Sequence, residues 1–433
     1  MMIIKLKTIS LVKLMIWLGI INLLIFSVLV AYSFLHVEKP DAGRDAFYAI
    51  SQANIPDNQN ITIALAGLNA PAGVNIIKHG RFVVDTLQRT PPDVDAKKTI
   101  DAVGKLEFVG SSEELECWIP STEPYTDEKC ASTERVKTLL TENKELLTRY
   151  KSLYAMPSWR DISGNGQYLI NLNKLISADI LLDLKQGNAE NAYTKWRDNH
   201  AFISRVLKQE GTMIEHAIFL VVDGISLTSI ENILFKAPQI SITHFEELNS
   251  LLRANKLERY TLKGMLRADY MFVNNEMFIK NKEVNAMNIN YFKNRFYRYQ
   301  LDFLNRAQMP SSTFDNSSVE MQEKYKFGAN IFKYDWLNPL QSALTNILIS
   351  GQLNGFPLVK SIYSKDALIK LLNLSINIRQ LKIPEAGIQT FLNNAGSEYN
   401  NLFTNKPMQW DAQKKVIYYI ESSSDGRKVA VRL

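Results

Sequence analysis

From Ile9 to Leu35 the chain is almost wholly apolar, with Lys13 the charged residue inside the run and Asn22 its main polar interruption. About 20 apolar residues in a helix cross the hydrocarbon core of a bilayer, so Leu14 to Leu35 is already long enough. A cleavable signal peptide has a shorter apolar core and a small-residue cleavage site. Here the run is too long, and Ala31-Tyr32-Ser33 matches such a site poorly. Residues 9–35 therefore read as an uncleaved transmembrane anchor. Lys5, Lys7 and Lys13 come early with no acid among them, whereas Glu38, Lys39 and Asp41 follow the run. The positive-inside bias then puts the N-terminus in the cytoplasm and the remaining chain outside it.

This topology leaves residues 1–8 as a short cytoplasmic tail, too small for a kinase or cyclase domain. Ala217 to Val222 is also apolar, but Asp223 and Gly224 interrupt it. A pore or transporter made by one chain is disfavoured. The chain has 433 residues, 46% of them hydrophobic, which suits two or three domains and excludes wholesale disorder.

Two cysteines exclude a cysteine-stapled miniprotein and a multi-cysteine metal protein. Cys117 and Cys130 bracket a polar segment with Pro120 and Pro124. In an oxidising compartment they are expected to pair, and closing a loop of about 14 residues stabilises by about 3 kcal/mol in the chain-entropy model. No histidine lies close enough in sequence to complete a zinc site with them.

The remaining chain reads as mainly α. Residues 36–131 form an irregular lead-in rich in breakers: Pro56, Pro71, Gly73, Gly80, Pro91-Pro92, Gly104 and Gly110. Residues 132–396 read as a multi-helix extracytoplasmic domain. Helical spacing of apolar residues predicts helices over 132–154, 167–185, 189–208 and 212–235, then 242–255, 257–281, 290–307, 318–350, 365–379 and 384–396. The short Gly187-Asn188 break predicts an antiparallel pair. The 212–235 segment is apolar nearly all round, as a central buried helix should be. Residues 397–433 read as a C-terminal β-hairpin, with Lys415 to Ile420 and Lys428 to Leu433 as strands around a Ser/Asp/Gly turn.

Several stretches carry a resemblance. They are the N-terminal anchor, Ala66-Gly67-Leu68-Asn69-Ala70-Pro71-Ala72-Gly73, the Gly187-Asn188…Ala192…Trp196 hairpin and Asn405-Lys406-Pro407-Met408-Gln409-Trp410-Asp411. Together they resemble a group of membrane-anchored, mostly helical envelope proteins of Gram-negative bacteria with no assigned activity. Thr404-Asn405-Lys406-Pro407 has Asn where that group often has Gly. The resemblance implies an inner-membrane location and this architecture; it brings no catalytic residues.

The motif search returns mostly absences. There is no GxSxG, P-loop, HExxH, GxGxxG or CxxC, and no two of the five histidines are spaced i, i+4. No metal site and no cofactor are expected. Glu215, His216 and Asp223 in the apolar 212–235 helix form the candidate polar cluster: His216 and Asp223 share a face two turns apart and, if buried, could handle protons or bind a ligand. The plainer reading is a thin polar stripe against solvent or a neighbouring helix. Asp93-Val94-Asp95 matches a glycosyltransferase DxD, yet no strand leads into it and the alternating strands of an α/β nucleotide domain are missing.

Lys293, Arg295, Arg298 and Arg306 form a candidate basic surface for anionic lipid or envelope polymer. Phe292, Phe296, Tyr299 and Phe303 interleave with them at helical spacing, which reads instead as a core stripe with cations on the other face. An extracytoplasmic address argues against nucleic acid. The formal charge of +6 is uneven. Residues 253–306 hold eleven basic and five acidic residues, and residues 101–145 hold five basic and eleven acidic. Opposed patches either pack together or serve partners.

The sequence thus points to a bilayer-anchored periplasmic protein, a non-catalytic scaffold or interaction module with an envelope protein as partner. The rival is an envelope hydrolase or transferase acting on glycan, peptide or lipid through carboxylates that no motif marks.

Overall fold

The computed structural model describes residues 11–35, 38–49, 55–90, 95–116, 118, 131–157, 166–252, 261–273, 289–309, 311–325, 355–421 and 426–433. The chain is mainly helical and ends in a small antiparallel sheet. In chain order the helices are α1 (Leu11–Leu35), α2 (Arg44–Tyr48), α3 (Ile61–Ala66), α4 (Ile76–Arg89), α5 (Ala96–Asp101), α6 (Ser112–Glu116), α7 (Thr133–Glu142), α8 (Lys144–Ser152), α9 (Gly166–Lys185), α10 (Ala189–Leu207), α11 (Met213–Lys236), α12 (Ile240–Thr243), α13 (Phe245–Leu251), α14 (Leu262–Val273), α15 (Ile289–Ala307), α16 (Ser311–Tyr325), α17 (Gly355–Gln380) and α18 (Ile388–Asn394). The strands are β1 (Gln409–Asp411), β2 (Val416–Ile420) and β3 (Lys428–Arg432).

Two compact units share the chain discontinuously. The smaller takes Met1–Ala49, Tyr270–Ala307 and Asn316–Gly355; the larger takes Ile50–Asp269, Gln308–Asp315 and Phe356–Leu433.

At the centre of the larger unit are α9, α10 and α11. Gly187 adopts a left-handed φ of 79°, which glycine reaches without a Cβ penalty, and reverses the chain between α9 and α10. Asn191 bonds Asp183, Lys195 bonds Asp179 and Asp183, and Asn199 bonds Asn173. Partners that climb one helix while descending the other define the antiparallel pair. A capping box starts α11: the Thr212 hydroxyl accepts the Glu215 N–H, and the Glu215 carboxylate accepts the Thr212 N–H. The helix then returns along α10, with the Trp196 indole donating to the Ser226 carbonyl and Phe202 meeting Phe219. Most of α11 is buried, Val222, Leu227, Ile230 and Ile233 completely.

The breaker-rich lead-in is folded around two glycines. A Cβ on Gly67 would sit 1.8 Å from the Ile76 carbonyl oxygen, and one on Gly80 would sit 1.7 Å from that of Ile63. No other residue lets α3 and α4 approach so closely. Buried Arg149 then donates to the carbonyls of Leu68, Ala70, Pro71 and Val74, tying down the loop after α3.

Several helix bounds differ from expectation. The 132–154 helix breaks at Asn143, whose side chain bonds both the N–H and the carbonyl of Val109 instead of staying outside the ladder. α17 starts at Gly355, ten residues before the expected 365. Its Pro357 lies in the first turn, where a missing N–H costs no intrahelical bond. α16 starts at Ser311 rather than 318, and its expected extension over 326–350 lies outside the described residues.

The C-terminal end has three strands, not two, in the order β1-β2-β3. Gln409 pairs with Tyr418, and Tyr418 pairs with Ala430. The added β1 is three residues long, too short to show a period. The Gln389 side chain of α18 takes the Trp410 N–H and donates to the Met408 carbonyl. Tyr419 donates to the Ser364 carbonyl of α17, so the sheet is docked on helices.

In the smaller unit, Phe292, Phe296, Tyr299 and Phe303 of α15 are all buried, as a core stripe requires. Tyr48 stacks on Tyr270 at 3.5 Å and donates to Gln300. Asn294 grips the segment that follows α1: its amide donates to Glu38 and to the Lys39 carbonyl, and its oxygen accepts from the Asp41 N–H and from Arg44. On α1 itself, Trp17, Leu18, Leu23 and Leu24 are all more than half exposed.

Candidate functional site

The three polar residues singled out on α11 are all buried; Glu215 and His216 both meet Thr212, and Asp223 lies apart from them. Glu215 is engaged in the capping box at the helix start. Next in the chain, His216 places Nδ1 3.1 Å from the Thr212 carbonyl oxygen, and its buried Nε2 has no hydrogen-bond partner among the described residues. Burial holds its pKa below the usual 6.5, only partly offset by nearby backbone carbonyls. Asp223 lies two turns on, fully buried, with Oδ1 3.8 Å from Nδ1 of His200.

His200 is the residue the sequence reading missed. Its ring is fully buried and stacked on Trp196 at 4.9 Å. Nδ1 is 3.0 Å from the Ser226 hydroxyl, and Nε2 is 3.4 Å from the Ser204 hydroxyl. Trp196, His200 and Ser204 follow one another at i, i+4 on α10, so their common face was legible. Their apposition to Asp223 and Ser226 was not, because it depends on how α11 packs.

A second buried network lies nearby. The Tyr150 and Tyr154 hydroxyls, Asn173 and Asn199 bond one another, and Ser177 meets Ser229 at 2.8 Å. Burial pushes the Tyr150 and Tyr154 hydroxyls far above the ordinary tyrosine range, which keeps them neutral donors. These polar groups are mutually satisfied inside a helical core, which specifies how the helices register.

The candidate basic surface has local partners. Arg298 makes a paired contact with Asp41, and Arg306 takes Asp302, Glu320 and the Ser317 carbonyl. Lys293 is held below the ordinary lysine range, first by burial and then by the charge of Arg44. Arg295 lies near the Tyr291 hydroxyl at 3.4 Å. Residues of the acidic stretch are matched close by as well: Glu114 and Glu142 by Arg135, Glu116 by Lys174, Glu145 by Arg149. Asp95 of the DxD caps α5 through the Lys97 N–H, and Asp93 lies outside the described residues.

Cys117 and Cys130 lie outside the described residues. The residues beside them are joined: the Ala131 N–H donates to the Glu114 carbonyl, and the Trp118 indole donates to the Ala131 carbonyl at 2.8 Å. Among the described residues, no group of three or more His, Cys, Asp or Glu side chains could hold a metal ion. Compared with protein-family models, curated proteins and solved structures, the chain finds no match.

Proposed function

We propose that this chain is a membrane-anchored scaffold or interaction module of a bacterial cell envelope. Residues 9–35 cross the inner membrane, the N-terminus is cytoplasmic, and the bulk is periplasmic. The observation that carries the reading is the exposed apolar surface of α1: Trp17 is 63%, Leu23 68% and Val28 66% exposed. Apolar area of this kind finds its cover in lipid at about 25 cal/mol per Å². Asn22 and Ser27 support it further, because each donates to the carbonyl four residues back, satisfying itself within the helix as a lipid environment demands. The interaction role is favoured by the buried polar core of the larger unit, where Glu215 and His216 both meet Thr212 at the start of α11 while Asp223 lies two turns on beside His200. A disulfide between Cys117 and Cys130 in an oxidising compartment is part of this reading, and the contacts of Ala131 with Glu114 and Trp118 are compatible with it.

The test is crosslinking in intact cells at native expression, followed by mass spectrometry of what co-purifies. A reproducible envelope protein partner is expected; a chain that crosslinks to nothing sinks the interaction role. A reporter active only in the periplasm, fused after Leu433, tests orientation. Thiol alkylation without reductant should leave both cysteines unlabelled.

The hydrolase reading has one observation in its favour. Ser204, Nε2 of His200, Nδ1 of His200 and Asp223 lie in sequence at 3.4 and 3.8 Å, with Ser204 half-buried at the outer end. It predicts that a fluorophosphonate labels Ser204 and that His200→Ala abolishes labelling. An unlabelled wild-type protein ends that reading.

A further inference from the structure

Four elements of the larger unit deliver the same charge to one place. Ser177 of α9 touches Ser229 of α11, and the two helices run the same way, since each is antiparallel to α10. Lys185 lies eight residues beyond Ser177 and Lys236 seven beyond Ser229, so both end about 11–12 Å past that contact. β3 adds Arg432, whose guanidinium bonds Glu231 at 3.2 Å and Asn232 at 3.0 Å. α17 adds Arg379, which donates to the Arg432 carbonyl at 3.1 Å.

Four cations less the one carboxylate of Glu231 leave a surplus of +3. Neither Lys185 nor Lys236 has a carboxylate within ion-pair distance among the described residues. Aromatic rings flank the cluster: Lys185 Nζ lies 3.9 Å over Trp118, and the Arg432 guanidinium lies 4.3 Å over the half-exposed ring of Phe235. The crowding registers at Lys236, held below the ordinary lysine range by burial first and then by the charges of Lys185 and Arg432. Burial also brings Arg379 down to about 10. A helix dipole favours a cation at each C-terminus, which accounts for either lysine singly. It supplies no reason for two arginines from other elements to join them.

We propose that Lys185, Lys236, Arg379 and Arg432 form a binding site for a phosphate group, carried either by free phosphate or by an anionic lipid headgroup. A multiply charged oxyanion offsets the surplus better than a single carboxylate does. Compact ammonium groups and planar guanidinium forks both bind phosphate.

The test uses the full chain in non-ionic detergent, treated with a trace amine-reactive ester at constant ionic strength. Labelling of Lys185 and Lys236 is measured by mass spectrometry against the exposed Lys414. Replacing chloride by inorganic phosphate should slow both by the factor 1 + [phosphate]/Kd, about tenfold at roughly ten times Kd, with Lys414 unchanged. Arg432→Gln should weaken the protection. Because that variant also loses the Glu231 bond, Lys185→Gln is made alongside it at an exposed position, and there the protection of Lys236 should fall. A second arm omits phosphate and dopes the micelles with phosphatidylglycerol. Stronger protection there assigns the headgroup, and stronger protection by inorganic phosphate assigns the free ion. If neither arm protects selectively, or if Lys185→Gln leaves the protection of Lys236 undiminished, the site is overturned.

Discussion

α1 and α11 are 25 and 24 residues long; among the described residues α11 is the one long and apolar enough to cross a bilayer, with Ile16–Ile25 a shorter apolar stretch, while the sequence of 9–35 as a whole is long enough too. They differ in what their side chains meet. Those described on α1 from Ile16 to Ile25 are all exposed, whereas Val222, Leu227, Ile230 and Ile233 of α11 are fully buried among protein. Their polar residues differ in the same sense. Asn22 and Ser27 of α1 bond only their own backbone, as far as described residues show, while Asp223, Ser226, Ser229 and Glu231 of α11 meet His200, Trp196, Ser177 and Arg432 on other elements. Hydropathy cannot separate a lipid-facing helix from a core helix. Some α11 polar groups also bond their own backbone, but they add partners on other elements, and those partners make the difference.

The comparison breaks most readily at its buried end. Leu227→Arg places an unpaired charge at a fully buried site and should cost at least about 3–5 kcal/mol. Loss of cooperative urea unfolding and rapid proteolysis would register it; a folded variant would mean α11 is not core. Leu23→Arg at the exposed middle of α1 should leave near-ultraviolet circular dichroism unchanged. It should weaken membrane insertion by about 3 kcal/mol, read as release into the soluble fraction. If Leu23→Arg instead unfolds the protein, α1 has protein cover and the lipid reading fails.

A pH series sharpens the buried end further. Because burial lowers the pKa of His216 in the folded state, the unfolded chain takes up a proton below about pH 6.5 that the folded chain refuses. The stability of neutral His216 is therefore complete above that pH and is lost as pH falls toward the folded pKa, by up to about 1.4 kcal/mol per pH unit. His216→Gln should flatten that slope, measured as urea midpoints from pH 7 to pH 5. Ser226→Ala removes the hydroxyl beside His200 and should cost about 1 kcal/mol in the same assay. Val221→Gln, on the exposed face of α11, should change stability by less than about 0.5 kcal/mol. A larger cost there would reveal a covering surface.

Much of the helical order was legible because it is local. The Gly187-Asn188 reversal, the all-round apolar α11 and the aromatic stripe of α15 follow from spacing and turn chemistry within one segment. What escaped was long-range. Asn143 breaks its helix to reach Val109, thirty-four residues back in sequence. Gly67 and Gly80 read as loop breakers, yet they mark the contact of two helices. The polar cluster was half visible: Glu215, His216, Asp223 and Ser226 lie on one helix, but His200 joins Asp223 and Ser226 only across a helix interface.

By itself, the sequence determined that one 27-residue apolar run opens the chain, that helices dominate and that a short sheet closes it, since periodicity and composition act over a few neighbouring residues. Only the tertiary structure decided that α11 is wrapped in protein while the described side chains of α1 are exposed. It also decided that cations scattered over Lys185, Lys236, Arg379 and Arg432 meet at one place. Burial and charge density are properties of the packed assembly of elements, and residues hundreds of positions apart contribute to them equally with neighbours.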